Sequence, residues 1–160
     1  MAKNKKKKND APTYENRRAR HDYFIEDTLE VGIKLEGSEV KSVRDGTASI
    51  KEGFITVDLE PPRLTLHQVE IAPYPPAGHL NHRPKRDRIL LAHAREIERL
   101  ARQVDQKGVT LVPLKMYFKE GRIKVLLALA KGKAMHDKRK AIADRDNKRD
   151  LQRIMSRKLP

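Results

Sequence analysis

Apart from hydroxyls, the groups in this chain that could do chemistry are histidines, carboxylates, amines and guanidiniums, because it has no cysteine. The six histidines are His21, His67, His79, His82, His93 and His136. None stands in an HExxH pair or in the setting of a catalytic triad, and His79 with His82 offers two ligands in one loop without a third. Gly37 and Gly46 flank a short segment without a GxGxxG or GxxxxGK pattern. A phosphate here would be held by cations rather than by a glycine cradle. The sequence reads as that of a binding protein, not an enzyme, with no metal and no cofactor.

The cations are plentiful. Thirty-six Lys and Arg against 22 Asp and Glu give a formal charge of +14 and a pI near 10.1. Each neutralised phosphate releases counterions and adds sequence-independent affinity, so RNA or DNA is the partner such a charge favours. An anionic membrane surface would be the competitor. Aromatic residues make up only 4%, which argues against a broad base-stacking sheet. No apolar run approaches the roughly 20 residues of a membrane span, and MAKNKKKKND has no apolar signal segment. A cytoplasmic protein is expected.

Candidate RNA contacts fall in clusters. Asn16, Arg17, Arg18 and Arg20 form NRRAR and lead into His21, which is either a polar strand entry or a flat ring able to stack on a base. Glu30 either pairs with a neighbouring cation or accepts from a base amino group. Lys34, Lys41 and Arg44 follow, then Arg83, Arg86 and Arg88 in a proline-rich loop, and Lys131 and Lys133 at the start of the tail.

These groups need elements to hold them. Residues 1–12 are a lysine run too polar to fold, either an RNA-touching arm or a solubilising leader. From Tyr23 to Leu35 apolar residues fall on odd positions, predicting a long half-buried strand with a bend at Gly32. Gly37 to Gly46 reads as a short helix with Ser38 as its N-cap and Val40 and Val43 facing inward. Ile50–Leu59, broken at Gly53, and Leu64–Ile71, with a parity shift after Leu66, predict further strands joined at Pro61-Pro62. Ala72–Arg88 is a loop. Leu90, Leu91, Ala94, Ile97, Leu100, Ala101 and Val104 then predict one face of a helix ended by Gly108. Val112–Phe118 and Ile123–Leu129 predict a hairpin around Lys119–Arg122, with Pro113 marking an edge or bulge. The expected fold is mainly β with helices: a six-stranded antiparallel OB-type β-barrel over residues 13–130, with a short and a longer helix packed on it. A basic C-terminal tail follows over residues 131–160.

Lys131 to Lys158 carries eleven Lys or Arg and four Asp, and its clear apolar triad is Leu151, Ile154 and Met155. That cannot build a core. Asp144 with Lys148 and Asp150 with Arg153 are spaced to pair along a helix, but an isolated helix of this length is marginal in water. The tail reads either as a solvated extension or as a segment that folds against a polyanion.

NRRARHDYFIEDTLEVGIKLEGSEVKSVRDG (16–46), IAPYPPAGHLNHRPKRDRILLAH (71–93), GVTLVPLKMYFKEGRIKVLLALAKGKAMHDKR (108–139) and the basic tail together resemble the small protein B family of SsrA-binding proteins. The resemblance implies an OB-type barrel that binds the tRNA-like domain of tmRNA and delivers it to stalled ribosomes in trans-translation. Elongation factor Tu and alanyl-tRNA synthetase would be reached through tmRNA, and the protein would act as a monomer. It places the RNA-facing surface at Glu30, Leu91, His93 and the cations around them, and turns His21 toward the decoding centre. Asp137, Lys138 and Arg139 match the motif that opens the tail. Arg145, Lys148, Arg149, Arg153, Ile154 and Met155 would meet the empty mRNA channel, the tail being disordered alone and helical on the ribosome. Val31 in place of the family's usual alanine, Ser38, Met135 and Ile89 are mild departures. A general RNA-binding or ribosome-associated OB-fold protein without tmRNA specificity is the alternative.

Overall fold

The computed structural model describes residues 11–157. The lysine run of residues 1–10 and the last residues, 158–160, lie outside the described residues. In chain order the elements are β1 Tyr14–Glu15, α1 Arg17–Asp22, β2 Tyr23–Ile33, α2 Gly37–Arg44, β3 Ala48–Ser49, β4 Phe54–Leu59 and β5 Pro62–His67. They continue with β6 Glu70–Ile71, a 3-10 turn Pro75–Leu80, β7 Arg88–Leu91, α3 Ala94–Val104, β8 Val109–Lys119, β9 Arg122–Gly132 and α4 Met135–Arg157.

Six strands close into an antiparallel ring in the order β8, β4, β5, β7, β2, β9, with β9 returning to β8. The expected number of strands holds, but one member is different. β7 occupies Arg88–Leu91, where the sequence suggested the end of a loop and the start of a helix. Four residues are too few for period two to declare itself, and Leu90 and Leu91 happen to continue the helical spacing of α3. Their burial is that of a strand: Leu90 is 2% exposed and Leu91 57%.

The parity shift after Leu66 marks a change of sheet rather than a bulge. β5 ends at His67, Gln68 takes φ 56°, and β6 leaves the ring to pair with β3. Gly53 sits where a Cβ would come within 2.8 Å of both the Pro113 ring and the Val69 side chain, so the chain can pass only as glycine.

Bulges do occur, in two strands flanking β9. In β2 the register slips between Ile25 and Asp27, not at Gly32, and in β8 between Pro113 and Lys115. Each inserts one residue and moves the apolar positions beyond it to the other side of the sheet. Leu29, Val31, Met116, Val125, Leu127 and Leu129 therefore fill the ring, where α3 adds Ile97 and Leu100. Val112, Leu114, Ala128 and Ala130 form a second, outer core with Tyr23 and Ile25, and Ala19 of α1 is pressed into it. The NRRAR cluster is thus a helix pinned by one alanine.

α2 is capped by Glu36, not by Ser38. The Glu36 amide donates to the Glu39 carboxylate at 2.8 Å, which satisfies a helix-start donor from within the first turn. Ser38 is diverted to His82, whose Nδ1 lies 2.9 Å from its hydroxyl, while the His82 Nε2–H donates to the Ile71 carbonyl at 3.0 Å. Glu39 itself is fully buried. Arg88 Nε reaches it at 2.8 Å and Arg86 Nη2 at 2.6 Å, and Arg88 also donates to the carbonyls of Val69, Pro84 and Arg86. This knot ties α2, the proline-rich loop and β7 together.

Candidate nucleic-acid interface

Glu30, Leu91 and His93 come from three different elements and meet in one place. Glu30 faces outward from β2, Leu91 is the more exposed of the two outward residues of β7, and His93 is the N-cap of α3, its amide donating to Glu96 at 2.9 Å. With Gly32, Arg63 and Lys124 they line an open groove of about 510 Å³. Gly32 lets β7 come close, since a Cβ there would lie 3.2 Å from the Cβ of Leu91.

Glu30 is not a free carboxylate. Lys119 donates to it at 2.8 Å and the Tyr117 hydroxyl donates to it as well. The hydrogen bond from Lys119, with that from Tyr117, holds the Glu30 carboxyl below its ordinary value. Burial, aided by the same carboxylate, pushes Tyr117 up to about 12, so its hydroxyl stays a donor at any physiological pH. The groove therefore offers two held carboxylates, Glu30 fixed by Lys119 and Tyr117 and Glu96 fixed by the His93 amide, with the cations Lys124 and Arg63, an imidazole and an exposed leucine.

A second cluster lies at the other end of β9. Gly132 pairs with Tyr23, whereas Lys124 pairs with Gly32; at 3.3 Å per residue the two ends are about 25 Å apart. Here α1 presents Arg17, Arg18 and Arg20 outward around the buried Ala19. His21 is on this helix rather than at a strand entry, with Nδ1 2.9 Å from Asp22. Lys133 runs across the C-terminal end of α1, donating from its amide to the Asp22 carbonyl at 2.9 Å and from Nζ to the Arg20 carbonyl at 3.4 Å. Lys131 is exposed beside it.

Other predicted contacts are scattered or otherwise engaged. Lys34 and Arg83 are exposed. Lys41 lies 5.2 Å from the Tyr74 ring centre and Arg44 5.8 Å from that of Phe118, both as cation–π pairs. Arg86 is committed to Glu39. Arg88 is 0% exposed and Asn16 only 4%. Asn16 caps α1 by accepting from the Ala19 amide at 3.0 Å and donates to the Ile50 and Pro113 carbonyls. In this fold neither Arg88 nor Asn16 presents a side chain to a partner. Tyr117, Lys119, Lys124 and Arg63 were missed by the sequence reading. The first three are the outward-pointing alternates of the hairpin, a signal that was legible.

In the tail, α4 is a helix of 23 residues. Asp137 pairs with His136, and Lys138 with Asp22 at 3.2 Å. Asp150 pairs with Arg153 as expected, at 3.7 Å, and Asp146 rather than Asp144 finds a partner, Arg149, at 3.6 Å. Arg139, Arg145, Lys148, Ile154 and Met155 are exposed. Among the described residues no helix is long and apolar enough to cross a membrane, and no group of three or more His or carboxylate side chains could hold a metal.

The family profile described as SmpB protein matches residues 13–157. The chain belongs to the SmpB family. An SsrA-binding protein of Moorella thermoacetica is 53% identical over 142 residues, covering 88% of this chain and 90% of its own, and one of Staphylococcus carnosus is 47% identical over 151 residues, covering 94% and 96%. Among solved structures, a chain described under "tmRNA-SmpB: a journey to the center of the bacterial ribosome" is 48% identical with a TM-score of 0.65, covering 82% of this chain and 95% of that one.

Proposed function

We propose that this protein binds the tRNA-like domain of tmRNA through its strand ring and delivers it to stalled ribosomes in trans-translation. The observation that carries this reading is the gathering of Glu30, Leu91 and His93 with Arg63 and Lys124 in one groove, on a chain of the SmpB family. A pre-ordered carboxylate among cations reads a base amino group while the cations hold the neighbouring phosphates. The role is binding, not catalysis.

The division of labour follows from β9. Residues 13–130 present the groove at one end, and the root of the tail leaves from the other. His21, Arg17, Arg18, Arg20, Lys131 and Lys133 cluster at that second end and face the decoding centre. In the tail, residues 131–160, the described part of α4 buries no side chain fully, so its helix is marginal alone and is completed against RNA in an empty mRNA channel. The lysine arm, residues 1–12, adds non-specific RNA affinity. The protein works in the cytoplasm as a monomer, and elongation factor Tu and alanyl-tRNA synthetase meet it through tmRNA.

The test is competition binding of the full chain to the tRNA-like domain at near-physiological salt, against excess ordinary tRNA. Salt is held fixed because the electrostatic contribution alone moves affinity by orders of magnitude. The reading expects the tRNA-like domain to win, and Glu30→Ala to weaken binding more than Glu98→Ala on the exposed side of α3. Equal competition by tRNA, or equal effects of the two substitutions, overturns it in favour of general RNA binding.

A further inference from the structure

The Asp22 carboxylate closes α1 and is shared by three donors. His21 Nδ1 lies 2.9 Å from Oδ1, Lys138 Nζ 3.2 Å from the same oxygen, and Arg18 Nε 3.4 Å from Oδ2. The backbone of Asp22 is used as well, its carbonyl accepting from the Lys133 amide. Only about a quarter of the side chain is exposed, and that of Lys138 is similar. The hydrogen bond from His21, with that from Lys138, holds its carboxyl below the usual aspartate value, so it is charged at neutral pH.

Lys138 is in the first turn of α4. Among the described residues its bond to Asp22 is the only ion pair between that helix and the body of the protein. The covalent exit from β9 at Gly132, the Lys133 amide bond to the Asp22 carbonyl and this ion pair in the first turn are successive points of attachment at Asp22, and together they set the direction in which the helix starts. α1 in turn is fixed to the ring by Ala19 in the outer core. We infer that Asp22 is a positioning residue, the anchor that sets the direction in which the tail helix leaves the ring and keeps Lys138 in place until RNA phosphate competes for it. The inference rests on the proposed delivery of tmRNA to the ribosome.

The chain has no cysteine, so spin labels at Asp58→Cys on β4 and Ala143→Cys on α4 report one distance in the full-length protein. The anchor predicts a narrower distribution in the parent than in Asp22→Ala or Lys138→Asp, with about a fivefold loss of the anchored population, the upper range for a partly exposed pair. The exchanged pair, Asp22→Lys with Lys138→Asp, should narrow the distribution again, which a merely structural role of either residue would not produce. Rescue of stalled ribosomes should fall in Asp22→Ala. Single variants as narrow as the parent, or an exchanged pair as broad as the singles, overturn the anchor. Failure of the parent to prefer the tRNA-like domain would sink the functional reading, and the distances would still decide the anchor.

Discussion

At the scale of single residues, the charged groups divide into those that hold the fold and those left for a partner. Glu39 belongs to the first kind. Removing it strands Arg88, which is fully buried, without its counter-charge, and breaking a buried pair in this way costs about 3–5 kcal/mol. Glu39→Ala should therefore lower the urea midpoint well beyond what any surface substitution does. Although burial opposes its ionisation, the Arg86 hydrogen bond, the Glu36 amide and the charge of Arg88 hold its carboxyl below the ordinary glutamate value. The stability it contributes is thus present above a pH of about 4.3 and is lost as pH falls through the lower folded value. The stability difference between the parent and Glu39→Gln should shrink as the pH is taken below 4, and a constant gap would show that the carboxylate is not what matters. Glu30 belongs to the second kind, held ready by Lys119 and by the neutral Tyr117 hydroxyl. Tyr117→Phe leaves Glu30 held by Lys119 alone, so affinity for the tRNA-like domain should drop while the melting temperature stays close to the parent's. An unchanged affinity would remove Tyr117 from the groove's working parts.

At the scale of elements, α4 is the piece whose removal separates functions. Deleting residues 135–160 should leave binding to the tRNA-like domain intact and abolish rescue of stalled ribosomes; loss of tmRNA binding in that truncation would contradict the two-ended arrangement. The long elements were readable beforehand because eleven residues of β2, β8 and β9, and as many of α3, give a period room to repeat. What escaped were short elements fixed by distant contacts. β7 is four residues long and exists because β2 and β5 pair with it. α1 has one buried side chain, Ala19, whose pocket is made by β8 and β9. Even within the legible strands the alternation ran on unbroken past Glu26 and Leu114, while the bulges there moved the residues to the opposite face. The sequence offers Arg88 as an RNA contact and His82 only as half of an incomplete ligand pair, because nothing local reveals that Glu39 and Ser38 await them. Glu30, Leu91 and His93 were readable only as positions in a family pattern, and that they share a groove depends on register.

For the whole molecule, the charge of +14 is spread unequally. The ring spends Arg86 and Arg88 internally, whereas Arg139, Arg145 and Lys148 of the tail are exposed. Affinity for naked RNA should consequently fall with salt, by a slope near 0.7–0.9 per phosphate contacted, and the slope for ribosomes should be steeper in the full chain than in the tail deletion. Equal slopes would mean that the tail's cations do not reach phosphate. The closure of the ring also bears on how the protein is made. β9 is the last ring strand in the sequence and the one that both β2 and β8 pair with. Until it has been synthesised, two eleven-residue strands, one made early in the chain and the other just before β9, each wait with an open edge that can pair with another chain. The tail is translated after that. A truncated message that stops before Gly132 therefore yields a sticky open sheet rather than a shortened working protein, and an interruption after it yields a complete ring without its probe.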